Sequence, residues 1–263
     1  MRLKPEQLDR FQRDGFLTLP GLFSAKEVAL MRARLPRLFA ERVPENFREK
    51  ASDVVRTAMG LHLRDDVYAR VVRHPRLVEP AMQILRDNRL YVQQVKVNAK
   101  EAFTGEQWQW HYDFATHHHE DGVKKPLALN LHIFLDEVTE FNGPLIFIRG
   151  SHRNGPAPTA LDLVSTSYPL WTVGNDTVAR LVAEGGMEAP KGPPGTALIF
   201  GDIMVHGSSA NMSPHPRSIF SLILNPVGNA QTRFKRPDHQ HHRDFTPVTP
   251  LGDDCLAMES AAA

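Results

Sequence analysis

The segment Trp108-Gln109-Trp110-His111-Tyr112-Asp113-Phe114 sets an imidazole two residues before a carboxylate. In an extended strand, residues i and i+2 point to the same face, so His111 and Asp113 can offer a nitrogen and an oxygen to one ion. A third donor, His206, stands in Val205-His206-Gly207-Ser208, behind a short apolar run and the Gly201-Asp202 turn. A neighbouring strand could bring it back to the pair. Two imidazoles and one carboxylate on one octahedral face leave three positions open, the arrangement of non-haem Fe(II) oxygenases. An isolated His-x-Asp is common, and a surface ion pair is its plain alternative. Arg217, eleven residues after His206, opens the run Ser218-Ile219-Phe220-Ser221-Leu222-Ile223-Leu224. A guanidinium entering a barrel there can clamp a dicarboxylate bidentately, which Lys does poorly; a salt bridge at the rim is the alternative. The order His-x-Asp, turn-rich insertion, His, then Arg is what a 2-oxoglutarate oxygenase needs.

The elements that must position these groups change character along the chain. The first ninety residues read as helical. Ser24-Ala25-Lys26-Glu27 is a capping-box pattern. Val28, Met31, Leu35 and Leu38 recur at the spacing of one buried helix face, with Pro36 as a possible kink. A second apolar stripe predicts a helix over 75–86. From about residue 90, short strands bounded by turn residues follow: 91–98, 127–135, 145–148, 196–200 and 218–224. Their number and spacing suggest a sandwich or jelly roll. Residues 153–195, rich in Pro, Gly, Ser and Thr with one short helix near 177–184, are expected to form an insertion or lid.

Length and composition bound the function classes. A chain of 263 residues with 41% hydrophobic and 23% charged residues is ordinary globular material. Lys+Arg at 31 against Asp+Glu at 30 gives no net drive toward nucleic acid or an anionic membrane. The single cysteine, Cys255, excludes an internal disulfide and cysteine-based zinc sites and suits a reducing compartment. With no apolar leader and no spanning run, the expectation is a cytoplasmic protein, monomer or homodimer. One domain is expected over 1–258, with a helical part over 1–90, a core over 91–230, and an appended or frayed tail over 259–263. The thirteen histidines are the compositional oddity. His117, His118 and His119 read as a loop, and His239, His241 and His242 as a polar stretch with no functional account.

The chain resembles the phytanoyl-CoA dioxygenase superfamily of Fe(II)/2-oxoglutarate oxygenases, in particular its bacterial branch acting on small molecules such as proline, leucine and ectoine. The resemblance rests on ordered motifs covering most of residues 5–230. These are Val72-Arg73-His74-Pro75-Arg76-Leu77, Val97-Asn98-Ala99-Lys100, Trp110 to Phe114, Glu120-Asp121-Gly122, Phe141-Asn142-Gly143-Pro144-Leu145, Gly150-Ser151-His152, His206-Gly207-Ser208 and Asn211 to Arg217. It implies a mainly β fold with flanking helices, a double-stranded β-helix (jelly roll, cupin-like) with the N-terminal helices packed on one sheet. It further implies Fe(II) at His111, Asp113 and His206, and 2-oxoglutarate held by Arg217, Ser208 and Lys100, with dioxygen as the oxidant. Gln94 corresponds to a substrate-contacting Gln, for which a solvent-facing strand residue is the alternative, and Asn98 is expected in the same pocket. Tyr112, Ala115 and His117 stand where the ectoine signature has Ser, Glu and Trp, which puts ectoine in doubt.

The function expected is hydroxylation of an unactivated C–H of a small free amino or imino acid, proline- or leucine-like, with release of succinate and CO2. Such a zwitterion needs buried counter-charges, expected from the 153–195 insertion or the C-terminal segment. The alternatives are a tailoring oxygenase of a specialised-metabolite or ectoine-like substrate or, from another class, a non-catalytic metal-binding cupin-like protein. The second has no use for the Arg217 clamp.

Overall fold

The computed structural model describes residues 1–257; the tail expected over 259–263 lies outside the described residues. The N-terminal part holds helices α1 (Pro5–Asp14), α2 (Ala25–Ala40), α3 (Asp66–Val71) and α4 (Pro75–Leu85). Ser24 caps α2 reciprocally: the Glu27 amide donates to Ser24 Oγ (3.3 Å), and the Ser24 amide donates to Glu27 Oε2 (2.7 Å). The helix runs through Pro36 and buries Val28, Met31, Leu35 and Leu38, as their spacing requires.

This part is not wholly helical, however. It also contributes β1 (Phe16–Leu19), β2 (Asn46–Arg48) and β3 (Val55–Met59) to the main sheet. Short strands such as Phe-Leu-Thr-Leu and Val-Arg-Thr-Ala-Met alternate poorly because sheet and helices bury both their faces, so periodicity does not betray them.

The strands that follow are β4 (Leu90–Lys100), β5 (Trp108–His111), β6 (Leu129–Phe134), β7 (Leu145–Ile148), β8 (Thr159–Asp162), β9 (Leu170–Val173), β10 (Met187–Glu188), β11 (Ala197–Gly201), β12 (His206–Ser208) and β13 (Arg217–Pro226). Helix α5 (Asp113–His119) follows β5, and α6 (Asn175–Gly185) lies between β9 and β10. They form two antiparallel sheets: seven strands in the order β1-β11-β6-β13-β4-β3-β2, and six in the order β10-β7-β12-β5-β9-β8. This is the jelly-roll architecture expected.

One hydrophobic cluster joins α2, α3 and α4 to β4, β6, β11 and β13, among them Met31, Leu77, Val97, Leu131 and Leu222. The outer face of the large sheet is thus covered by helices. Its inner face looks across a cavity at the small sheet, so every residue of β13 is buried. The 153–195 segment is not a loop laid over the core: β8 and β9 form a hairpin that extends the small sheet, with Thr172 opposite His111. No helix among the described residues is long and apolar enough to cross a membrane.

Candidate metal centre

The small sheet aligns the two histidines. β12 pairs with β5 so that His206 lies directly opposite His111, and their ring centroids are 4.2 Å apart. Each ring is oriented by the backbone two residues before it: Nδ1 of His111 lies 2.6 Å from the Gln109 carbonyl, and Nδ1 of His206 lies 2.9 Å from the Met204 carbonyl. A carbonyl only accepts, so both protons sit on Nδ1 and both Nε2 lone pairs stay open, the tautomer a metal ligand requires.

Asp113 does not sit on the strand as the alternation implied. β5 ends at His111, and Asp113 opens α5. The i, i+2 geometry survives because Tyr112 is still extended (φ −137°, ψ 145°). Asp113 Oδ1 therefore lies 3.9 Å from His111 Nε2, while Oδ2 accepts from Asn130 Nδ2 at 2.9 Å. Tyr112 and Phe114 point the other way and pack with Val173, Leu181 and Val205.

One ligand atom from each of His111, Asp113 and His206 lies within 4.8 Å of the others; among the described residues no other group of three or more His, Cys, Asp or Glu does so. Burial and the neighbouring His206 push His111 down to about 3, so it is neutral at pH 7. Burial alone would raise Asp113, but His206 and Lys96 outweigh it and hold the carboxyl below its ordinary range. Two neutral imidazoles and an ionised carboxylate, open on one side, fit a divalent iron.

Opposite the triad, Arg217 enters from the large sheet. It is buried and donates to the Gly143 carbonyl at 2.7 Å, while its Nε has no partner. Ser208 Oγ is likewise buried and unpartnered. A desolvated guanidinium without an anion is costly, and its pKa falls to about 10 on burial. Both groups fit a carboxylate delivered by a bound molecule. Gly143 makes room for the clamp: at φ +72° a Cβ would come within 2.7 Å of Lys100 Cδ and the Ser209 carbonyl.

A cavity of about 250 Å³ brings together seven of the eight residues singled out in the sequence: Gln94, Asn98, His111, Asp113, His206, Ser208 and Arg217. Gln94 is buried and donates to the Gln240 carbonyl at 2.5 Å, so it does not face solvent. Asn98 Oδ1 accepts from Thr57 Oγ1 at 3.0 Å.

Lys100 is the exception. It is paired in register with Arg217 but does not line the cavity, and its ammonium donates to the carbonyls of Glu106 (2.5 Å) and Ser209. Burial and the charges of Arg217 and Arg56 lower it to about 6. Those two carbonyls hold the ammonium on the strand beside Arg217.

Three corrections concern histidine. His117 to His119 form the last turn of α5, not a loop, and His117 lines the cavity with Nδ1 3.0 Å from Asp202 Oδ1. His241 and His242 are buried rather than idle in a polar tail. His132 went unnoticed, yet it lines the cavity with both ring nitrogens buried and unpartnered. Its signal was available: Asn130 and His132 are polar at i and i+2 within the otherwise apolar Leu129–Phe134 strand.

A family model described as phytanoyl-CoA dioxygenase (PhyH) matches residues 11–219. The chain belongs to the phytanoyl-CoA dioxygenase family. Within that family it is 39% identical over 257 residues to an L-proline trans-4-hydroxylase of Streptomyces griseoviridis, covering 94% of this chain and 96% of the relative. It is 35% identical over 265 residues to an ectoine dioxygenase of Bordetella bronchiseptica, covering 95% and 86%. Among solved structures, EctD from S. alaskensis with bound Fe superposes with a TM-score of 0.83 at 30% identity over 95% of this chain and 87% of that one. The same enzyme with 2-oxoglutarate and 5-hydroxyectoine gives 0.81 at 31%, covering 95% and 86%. The protein is an Fe(II)/2-oxoglutarate-dependent dioxygenase, a hydroxylase of a small substrate.

Proposed function

We propose that this dioxygenase hydroxylates a free amino or imino acid, proline- or leucine-like, with iron held by His111, Asp113 and His206. The observation that carries the reading is a single cavity in which open imidazole nitrogens face a buried, anion-free guanidinium. Arg217 and Ser208 take the distal carboxylate of 2-oxoglutarate, and Gln94 and Asn98 face the substrate. When bound, iron(II) with 2-oxoglutarate and dioxygen supplies the oxidising power that turns a C–H into an alcohol and releases succinate and CO2.

The chain's own residues set the geometry. The Gln109 and Met204 carbonyls fix the imidazoles, and Asn130 fixes Asp113. Tyr168, Leu170 and Trp171 wall the cavity on the hairpin side and keep water from it.

Substrate size and kind follow from three supports. The cavity, at about 250 Å³, lies below the ~300–1,000 Å³ of pockets for drug-sized ligands, which suits a small acid and not an acyl-CoA. The relative at 39% identity is named as a proline hydroxylase. His117 lines the cavity where the ectoine signature has Trp.

The test combines spectroscopy with turnover. Anaerobic Fe(II) plus 2-oxoglutarate should give a weak visible charge-transfer band, and succinate release should be stimulated by proline, leucine or another free amino acid. No band would sink the metal assignment, and stimulation by ectoine or an acyl-CoA alone would sink the substrate assignment. Arg217→Met should raise the 2-oxoglutarate KM about 100-fold or more, as breaking a desolvated charge pair does, while iron content stays unchanged.

A further inference from the structure

The three cations lining the cavity differ in what they already hold. Arg217 donates to the Gly143 carbonyl, and Arg236 makes a two-point pair with Asp121. Lys96 holds nothing: no hydrogen bond or ion pair joins its ammonium to any described residue. It comes from the middle of β4, where alternation sends Gln94, Lys96 and Asn98 to the cavity side. Across the sheet it lies opposite Ser221 of β13, whose hydroxyl is also buried and unpartnered, and opposite Met59 of β3.

Its place along β4 separates it from the co-substrate clamp. Arg217 is in register with Lys100, four residues further on. At roughly 3.3 Å per residue that is about 13 Å, too far for one carboxylate to bridge both. The charges that act on Lys96 are Asp113 and Arg236, not Arg217. Lys96 therefore stands beside the metal ligands, on the side that leads to Arg236 and Gln240. A half-buried ammonium turned into a cavity without an anion of its own is an unfavourable arrangement, and a divalent metal on Asp113 makes that end of the cavity more positive still. The carboxylates lining the cavity are Asp113 and Glu120. Asp113 belongs to the metal, and Glu120 is already engaged: Oε1 accepts from Trp171 Nε1 at 3.1 Å and Oε2 lies 3.9 Å from the Lys235 ammonium.

We infer that Lys96 receives the carboxylate of the primary substrate, so that the enzyme takes a free acid and rejects the corresponding amide. The inference rests on the amino-acid reading above and names the counter-charge that reading requires. That counter-charge comes from the floor of the large sheet, where neither the insertion nor the C-terminal segment supplies it.

The test uses the iron-loaded enzyme as wild type, Lys96→Met and Lys96→Arg, with the best free amino or imino acid of the succinate panel and its carboxamide. Lys96→Met should raise the substrate KM about 10- to 100-fold, the cost of a hydrogen bond to a charged group. The KM for 2-oxoglutarate and the anaerobic Fe(II)/2-oxoglutarate band should not move. The wild-type preference for acid over amide should collapse in Lys96→Met and return in part in Lys96→Arg. An unchanged substrate KM, equal losses for acid and amide, or a rise in the 2-oxoglutarate KM instead would overturn the assignment of Lys96 alone. A wild type that turned over none of the free acids would overturn the amino-acid reading and this inference with it.

Discussion

Two of the buried histidine–carboxylate clusters on this fold are built to opposite ends. In the first, His111 and His206 give their Nδ1 protons to backbone carbonyls, so Nε2 and the Asp113 carboxylate stay available to a metal. In the second, His241 uses both nitrogens on side chains: Nδ1 lies 2.8 Å from Asp121 Oδ2, and Nε2 lies 3.0 Å from the Tyr91 hydroxyl. Arg236 closes the remaining carboxylate positions of Asp121. The amides of Thr232 and Arg233 donate to the Asp121 carbonyl at 2.9 Å, so the second cluster fastens the C-terminal segment beside the cavity. Proximity of imidazole and carboxylate is thus no sign of a metal site. What matters is which atom orients the ring: a backbone carbonyl leaves the far nitrogen free, and a set of side chains uses it up.

The sharpest way to break this comparison is to delete each carboxylate in turn. Asp113→Ala should abolish stoichiometric iron binding and lower turnover by at least about 1,000-fold, because the missing charge-bearing ligand leaves two neutral imidazoles to hold a divalent ion. Metal analysis of the anaerobically loaded protein, with circular dichroism to verify the fold, checks it. Retention of a full equivalent of iron would sink the ligand assignment. Asp121→Ala should do the reverse. It leaves Arg236 and His241 Nδ1 without their buried anion, which costs about 3–5 kcal/mol of stability, while the iron content of the folded protein is kept. A urea melt alongside metal analysis reads both quantities. Loss of iron in Asp121→Ala would make the second cluster part of the metal centre and dissolve the contrast.

Much of the first cluster was legible in the sequence because its logic is local and periodic. His111 and Asp113 are two residues apart in an extended stretch, and His206, Ser208 and Arg217 follow in a fixed order. The physics of alternation holds even though Asp113 itself belongs to a helix. The second cluster was not legible, since Asp121 and His241 meet across 120 residues and no period links them. The same limit hid β1, β2 and β3, whose pairing partners lie far along the chain. Lys100 shows what a motif match does not reveal. A motif match placed it near the co-substrate, and its strand position beside Arg217 agrees, but two carbonyl acceptors hold its ammonium outside the cavity.

The smallest effect separates the clusters by pH. In the metal-free protein, burial lowers His241 to about 4 against the opposing pull of Asp121, and burial lowers His62 to about 3. The unfolded chain takes up these protons near pH 6.5. Between pH 6.5 and 4 the unfolded state therefore binds more protons, and stability falls as pH falls, by up to about 1.4 kcal/mol per pH unit for each such histidine. Asp121, held below its ordinary range, adds its own loss only below about pH 4. His241→Leu should accordingly flatten the slope of metal-free stability between pH 6.5 and 4, measured by urea melts at each pH. Iron adds a second slope that depends on the first cluster, because protons compete with the metal for Nε2 of His111 and His206. The stabilisation by iron should thus shrink on acidification equally in wild type and His241→Leu. A His241→Leu variant in which the iron increment lost its pH dependence would show that the two clusters act as one.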